Sequence, residues 1–588
     1  MQTPTRPFPV RLVVAAIAVA SVSGGLLMSP AAADPGDEDA TAARTLAPTA
    51  DVSAQIDELM EAAWKEADIR PARASTDAEF LRRVALDTTG TVPDEQVVRG
   101  FLSSSNRAKR QDAIRVLLQS EGFARFTALR WSYLLVGRDY LTRTLNRGQM
   151  QQAMSARESG MDSAEGSMSP GGMDLPEMDG PVPPLTAWLE SQIHSDTPWS
   201  QTVSQLLTAS GELPDTPQAH YMLRYLRNGK AEELAGSSMR LFQGLQIQCA
   251  QCHDHPYTAW TQRDFYGVAA FFSRTNARRK RDPSARNGRG PFYVTDRGNG
   301  QIRIPAPEGE HQQMVLPRFL TGEITSPGPN VDRRAELASL VTADSNPYFA
   351  RAIVNRFWSF YFGRGIIDPV DDMEIEEYPI PEVLDLLARD FKASNYDLRR
   401  LSEVILLTRA YQLSSAGDLE DRGPQLELFA RAPLRTLSAE QVFYSVLTAT
   451  GVADVQASGR ARRRIERMKV QMLRQFLQTF DNDEGEEAVD EGTIPQALLL
   501  LNGPLTNDAI KPRPDHPVYS RLFAMRDSRE RVETLYLRTL GRSPTGQELR
   551  VAAAYLDHPD HRRAAGQAQA FADLFWALLN SSEFAHNH

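Results

Sequence analysis

The two cysteines of this 588-residue chain stand three apart in one run, CAQCHDHP, at residues 249–256. His253 follows the second thiol directly, and Asp254 and His255 come next. Cys-x-x-Cys-His is the spacing of c-type haem attachment: two thiols about one helical turn apart reach both vinyl groups of the porphyrin, and the next residue is placed to ligate the iron. Cys249 and Cys252 would anchor the group, with His253 as proximal ligand. The same residues suit two other occupants. Cys249, Cys252, His253, Asp254 and His255 offer donors to a transition metal such as zinc or copper. Ligands so close in sequence seldom complete a tetrahedron alone, however, and the chain has no third cysteine. Alternatively the thiols close a disulfide, structural or redox-active, and no cofactor is needed. A thiol–disulfide oxidoreductase fits less well, because no thioredoxin-like βαβ pattern surrounds the pair.

A haem here takes a sixth ligand or leaves that position open to a small molecule. His255 lies too close to His253 to reach the opposite face. Downstream, HQQMVLP offers His311 and Met314; upstream, HYMLRY offers His220 and Met222. Taken singly, each is more often a surface or core residue than a ligand.

The N-terminus indicates where this chemistry would take place. Arg6 and Arg11 precede the apolar run LVVAAIAVASVSGGLLM, and Ala31 to Ala33 stand just before Asp34. That pattern reads as a cleaved secretory signal over residues 1–33, since the run is short for a bilayer span and broken by Ser and Gly. A mature chain from about Asp34, with no transmembrane segment, is expected in the periplasm or cell envelope. Haem attachment and disulfides are both permitted there. With 65 basic and 75 acidic residues the formal net charge is −10, and losing the signal removes two more positive charges. Such a chain has no general attraction for nucleic acid or anionic lipid.

The elements that position the motif read as mainly α, in two helical domains joined by a loop-rich, partly β region. Residues 34–50 form a polar linker. From Val52 apolar residues recur at three- and four-residue steps, and the first helical domain spans 51–275. Within it, residues 146–183 form a flexible insertion rich in Met, Gly and Ser. Residues 276–332 are rich in Arg, Gly and Pro and read as loop with a little strand; 333–588 is helical again. RVALDTTGTVPDEQ near one end is echoed by TLYLRTLGRSPTGQE near the other, each followed by a second similar stretch, LLQSEGFA and LLNSSEFA. Gly90 and Pro93 match Gly541 and Pro544, and Phe123 matches Phe584. Glycine closes one helix in a left-handed cap and proline opens the next, so related helical hairpins are expected at both ends, packing together.

Other signals are weaker. The basic run RTNARRKRDPSARNGR reads as a solvated loop, with haem propionates or an anionic partner as the sharper alternative. Arg460 to Lys469 and the acidic DNDEGEEAVDE after it neutralise one another. The methionines of the insertion are soft enough for Cu(I), but a linker is the simpler account. No nucleophile elbow, Walker loop or H-E-x-x-H is present, so no catalytic residue is assigned.

LFQGLQIQCAQCHDHPYTAWTQRDFYGVAAFFSR closely resembles the planctomycete-type cytochrome-like domain, domain of unknown function 1549, and DAEFLRRVALDTTGTVPDEQVVRGFL is similar to the same family. NPYFARAIVNRFWSFYFGRGIIDPVDDM, LTRAYQLSS, PLRTLSAEQ and TIPQALLLLNGP resemble its companion, domain of unknown function 1553. The resemblance implies an exported bacterial protein, with a secreted sulfatase-like protein or a redox partner beside it. It also implies that Asp254, His255 and Pro256 belong to the signature with Trp260 and Asp264 to Gly267, a site larger than thioether attachment alone. Asn355, Arg356 and Trp358 are family positions expected in the core, with a buried Arg–carboxylate pair. One departure is the acidic EGEEAVDEG, where the family often has a basic segment.

Overall fold

The computed structural model of the chain describes residues 46–141, 182–213, 215–226, 231–283, 289–305, 311–320, 322, 331–417, 422–451, 504–512, 516–561 and 563–588. The expected signal peptide, most of the linker, nearly all of the Met-rich insertion, Arg460–Lys469 and the acidic stretch after it lie outside these residues.

The architecture is mainly α. Helices α1 (Thr49–Glu66), α2 (Asp77–Thr89), α3 (Glu95–Ser103), α4 (Lys109–Leu118) and α5 (Glu121–Val136) come first. Then follow α6 (Pro184–His194), α7 (Trp199–Leu207), α8 (Ala219–Leu226) and α9 (Ala231–Gln243). A 3-10 turn at Ile247–Gln251 leads to α10 (Gln262–Phe272). The second half opens with α11 (Arg333–Val341), α12 (Phe349–Phe362), α13 (Pro381–Ala393) and α14 (Leu398–Leu407). It continues through α15 (Arg422–Glu427), α16 (Ala439–Thr450), α17 (Pro504–Ala509) and α18 (Pro517–Ala524). The chain closes with α19 (Ser528–Leu540), α20 (Gly546–Leu556), α21 (Ala564–Leu579) and α22 (Ser582–Ala585).

Among the described residues, both halves contribute to the larger of two apolar cores, where Ile56, Trp131, Phe242 and Phe265 join one cluster with Phe357, Trp358 and Phe391. The smaller core joins Leu86 and Val92, from the first half, to Val446, Leu535, Phe571 and Phe584.

Strands are few and small. β1 (Gly211–Glu212), β2 (Thr275–Arg281) and β3 (Arg289–Asp296) form an antiparallel sheet in the order β1-β3-β2. β4 (Ile302–Arg303) pairs with β5 (Met314–Val315), and β6 (Arg435–Thr436) with β7 (His586–Asn587). The basic run expected as a loop thus holds strand β2 at Thr275–Arg281 and reaches the start of β3 at Arg289. The register pairs Ala277 with Val294, so one face buries Val294 while Arg278 to Arg281 stay exposed. Arg279 stacks 4.5 Å over the Phe292 ring, and Lys280 pairs with Glu212 at 2.6 Å. Solvated arginines and strand pairing coexist because a sheet edge needs only one apolar face.

The internal repeat is structural. Gly90 ends α2 at φ 72° and Gly541 ends α19 at φ 70°, both left-handed caps. Asp94 and Thr545 cap the following helices, and Ser120 and Ser581 accept the N–H of Phe123 and Phe584 in turn. The two copies pack against each other: the Arg82 guanidinium donates to the carbonyls of Thr539 at 3.0 Å and Phe584 at 2.9 Å. They differ in the space behind the cap. A Cβ at Gly90 would lie 2.5 Å from the Phe126 ring, whereas one at Gly541 would meet nothing nearer than Arg82 Cβ at 3.6 Å. Either alanine loses about 1–2 kcal/mol to the left-handed backbone; the ring clash adds about 1–3 kcal/mol at Gly90 alone. Gly90→Ala should therefore be the costlier substitution in urea denaturation, and equal losses would contradict this packing.

Charged groups are buried where these layers meet. Asp87 on α2 is fully enclosed and accepts from the Tyr411 hydroxyl at 2.8 Å, Asn587 Nδ2 at 2.8 Å and Arg435 at 2.5 Å. Glu95 is likewise enclosed, held by Arg99 at 2.7 Å and Arg521 at 2.8 Å.

Candidate functional site

The Cys/His motif is built onto the end of α9. Gly244 turns the chain there at φ 64°, and a Cβ on it would fall 2.6 Å from Met373 Cγ. In the 3-10 turn that follows, Ile247 and Ala250 are buried while Cys249 and Cys252 are exposed. Cys249 lies within the turn and Cys252 directly after its end, as the C-cap residue. They are not joined by a disulfide. Burial, then Glu232 and the neighbouring Cys252, raise the Tyr266 phenol above its ordinary value.

The two histidines are held in opposite tautomers. The His253 Nδ1 lies 2.8 Å from the carbonyl oxygen of Asp254. A carbonyl can only accept, so Nδ1 carries the proton and Nε2 keeps a free lone pair, on an exposed side chain. His255 is the reverse: its Nδ1 accepts the backbone N–H of Tyr257 at 3.3 Å and of Thr258 at 3.1 Å. The neutral ring then carries its proton on Nε2. Asp254 is also engaged with backbone, accepting from Gln262 N at 2.9 Å. The loop closes with His255 N donating to the Trp260 carbonyl at 2.8 Å. A capping box between Thr261 and Asp264 then starts α10.

Side chains of the second half brace this loop. Asp371 accepts from Gln246 at 2.8 Å and pairs with Arg240 at 3.4 Å. Met373 N donates to the Gly244 carbonyl at 2.8 Å. Tyr348 donates to Glu374 at 3.3 Å. Burial raises the Glu374 carboxyl above the ordinary carboxylate range; the Tyr348 hydroxyl opposes this, Asp372 adds to it, and the Trp260 indole N–H and His255 oppose it. The segment carrying these residues is pinned from behind. Buried Asn355 donates to the carbonyls of Ile367 at 2.8 Å and Val370 at 3.2 Å, and accepts from Ile367 N at 3.0 Å. Arg356 and Trp358 are buried with it, as expected.

The other sequence candidates fall elsewhere. His311 is exposed, and Met314 is 49% exposed on β5, which packs against α10. Met222 is in the core. His220 is buried against Tyr140, whose hydroxyl is 2.6 Å from its Nδ1, and burial lowers its pKa to about 4. Among the described residues, no group of three or more His, Cys, Asp or Glu could hold a metal ion. Among the described residues, too, no helix is long and apolar enough to cross a membrane.

Residues 55–158 and 161–277 match the PSCyt2 family, a protein of unknown function (DUF1549), and residues 333–556 match the PSD1 family, a protein of unknown function (DUF1553). The chain carries a PSCyt2 segment followed by a PSD1 segment. Comparison with curated proteins and with solved structures gives no match. In this PSCyt2–PSD1 chain Cys249 to His255 belong to the first family segment, and Tyr348, Asp371, Met373 and Glu374 to the second. The site is therefore assembled across both. Those four residues were invisible as site residues in the sequence, where nothing links an acidic loop to a motif more than 100 positions away; only the Gly244 turn hints at a close neighbour.

Proposed function

We propose that Cys249, Cys252 and His253 hold a covalent c-type haem, and that the protein serves electron transfer or redox chemistry in the cell envelope beside a redox partner. One observation carries this reading: the Nδ1–H of His253 is tied to a backbone carbonyl, leaving Nε2 as an exposed donor next in sequence to an exposed, unpaired pair of thiols. A backbone partner on the far nitrogen is the usual device for orienting an axial or metal-bound imidazole. The thiols would hold the porphyrin by thioether bonds, and the iron would supply one-electron exchange. Asp254 and His255 then act on the loop rather than on the group, through their backbone hydrogen bonds. A zinc or copper ion shared by His253 and His255 is served less well, because His255 would have to give up both backbone N–H bonds and reverse its tautomer.

The mature chain, exported from a host able to attach c-type haem, should show a Soret band that shifts on reduction. His253→Ala should abolish that shift and leave the far-ultraviolet circular dichroism unchanged. A colourless wild-type protein, or a variant with an unaltered spectrum, overturns the assignment.

A further inference from the structure

A second concave site lies away from the motif. It is a cavity of about 670 Å³ between the segment after α1 and the segment after α14, lined by Asp57, Arg70, Arg73, Arg110, Arg409 and Gln412 among others. One wall belongs to the PSCyt2 segment and the other to the PSD1 segment. In a chain of net charge −10, four arginines facing one cavity run against the overall balance.

The arginines have different duties. Arg110 is spent: it donates to Asp77 at 3.0 and 2.9 Å, to the Ser75 carbonyl at 2.7 Å and to Gln412 at 3.2 Å. Arg409 pairs with Glu61, and its backbone N–H donates to Asp57 at 2.7 Å. Among the described residues, the side chains of Arg70 and Arg73 have no ion-pair or hydrogen-bond partner, and both are exposed. The backbone beneath them is nonetheless fixed. The Arg70 carbonyl accepts from Gln425 at 2.6 Å, and the Arg73 carbonyl from Ser414 N at 2.8 Å. Ala72 N and Ser75 N donate to the carbonyls of Ala430 and Gln412 at 2.8 and 2.9 Å. Two free guanidinium forks thus stand on a strip of hydrogen-bonded backbone and line one cavity together with Arg110 and Arg409. Guanidinium forks favour planar or tetrahedral oxyanions, which they bind bidentately. The volume suits a small molecule.

We propose that this cleft binds a small polyanion carrying at least two sulfate, phosphate or carboxylate groups, gripped by Arg70 and Arg73. This site does not depend on what the cysteines hold. Asp57 sets its pH response. Burial raises its carboxyl to about 6, with Glu61 adding to that and Arg409 opposing it. Below that value the cleft loses a negative charge facing Arg70, Arg73, Arg110 and Arg409, so affinity for the sulfated probe, whose sulfate esters stay ionised throughout, should rise as pH falls from 7 to 5.

The test is calorimetric titration of the full chain at low ionic strength with pyrophosphate, a sulfated disaccharide and citrate, which separate phosphate, sulfate and carboxylate as the group preferred. At least one should bind at 1:1. Arg70→Ala with Arg73→Ala should weaken it about tenfold or more, each lost charge-assisted bond being worth at least that together. The exposed pair Arg526→Ala with Arg529→Ala should change nothing. Circular dichroism of the cleft variant checks that it folds; both its arginines are exposed. Absence of binding by all three probes, or equal weakening in both double variants, overturns the proposal.

Discussion

Asp87→Ala should destabilise the protein by about 3–5 kcal/mol. The carboxylate is enclosed, and its three partners come from distant parts of the chain: Tyr411, Arg435 and Asn587. Removing it leaves the Arg435 charge without its buried counter-ion and two further donors without an acceptor. The consequence spreads beyond α2. Arg435 lies on β6, which pairs with β7 at the C-terminus, and Arg83, one turn earlier on α2, donates to the Tyr411 and Leu413 carbonyls at 2.7 and 2.8 Å. Both cores meet at this helix, since Val84 belongs to the larger and Leu86 to the smaller. Urea denaturation of the variant should show a lower midpoint with the slope preserved. A loss under about 1 kcal/mol, the range of an exposed pair, would mean that the network does not couple the halves.

The second large effect is chemical. Cys249→Ser with Cys252→Ser should remove covalently held haem completely, while leaving the protein's stability within the ±0.5 kcal/mol typical of surface changes. Both thiols are exposed and unpaired, so neither contributes packing that serine would lose. Each single variant retains one thiol and should keep part of the attachment. A double variant that still carries haem through denaturation would place the attachment elsewhere, and a double variant that fails to fold would make the cysteines structural.

Much of the fold was legible in the sequence because it rests on local rules. Glycine caps mark the repeat at Gly90 and Gly541, and the structure shows both in the expected left-handed role; Pro93 and Pro544, expected to open the next helices, instead stand one residue before the N-caps Asp94 and Thr545. The side-by-side packing of the two copies followed from their shared apolar pattern. The hairpin at 275–296 was harder, because its strands are arginine-rich and only Val294 reports a buried face. At the motif, residue types and spacing singled out Cys249, Cys252 and His253. The separation of duties between His253 and His255 depends on which ring nitrogen meets backbone, and spacing carries no trace of that. Nor does sequence show that Asp371 and Met373 dock on Gln246 and Gly244, since that contact exists only once both halves share a core. The arginine cleft escaped for the same reason: Arg70 and Arg73 look like linker residues until the segment at 407–413 folds across from them.

The most direct measurement of the central claim is the intact mass of the mature protein, denatured, after export from a host with c-type haem maturation. The account predicts one species heavier than the polypeptide by a single haem, reverting to the polypeptide mass in Cys249→Ser with Cys252→Ser. A wild-type mass lighter than the reduced chain by two hydrogens, the signature of a disulfide, or a mass equal to the reduced chain would contradict it.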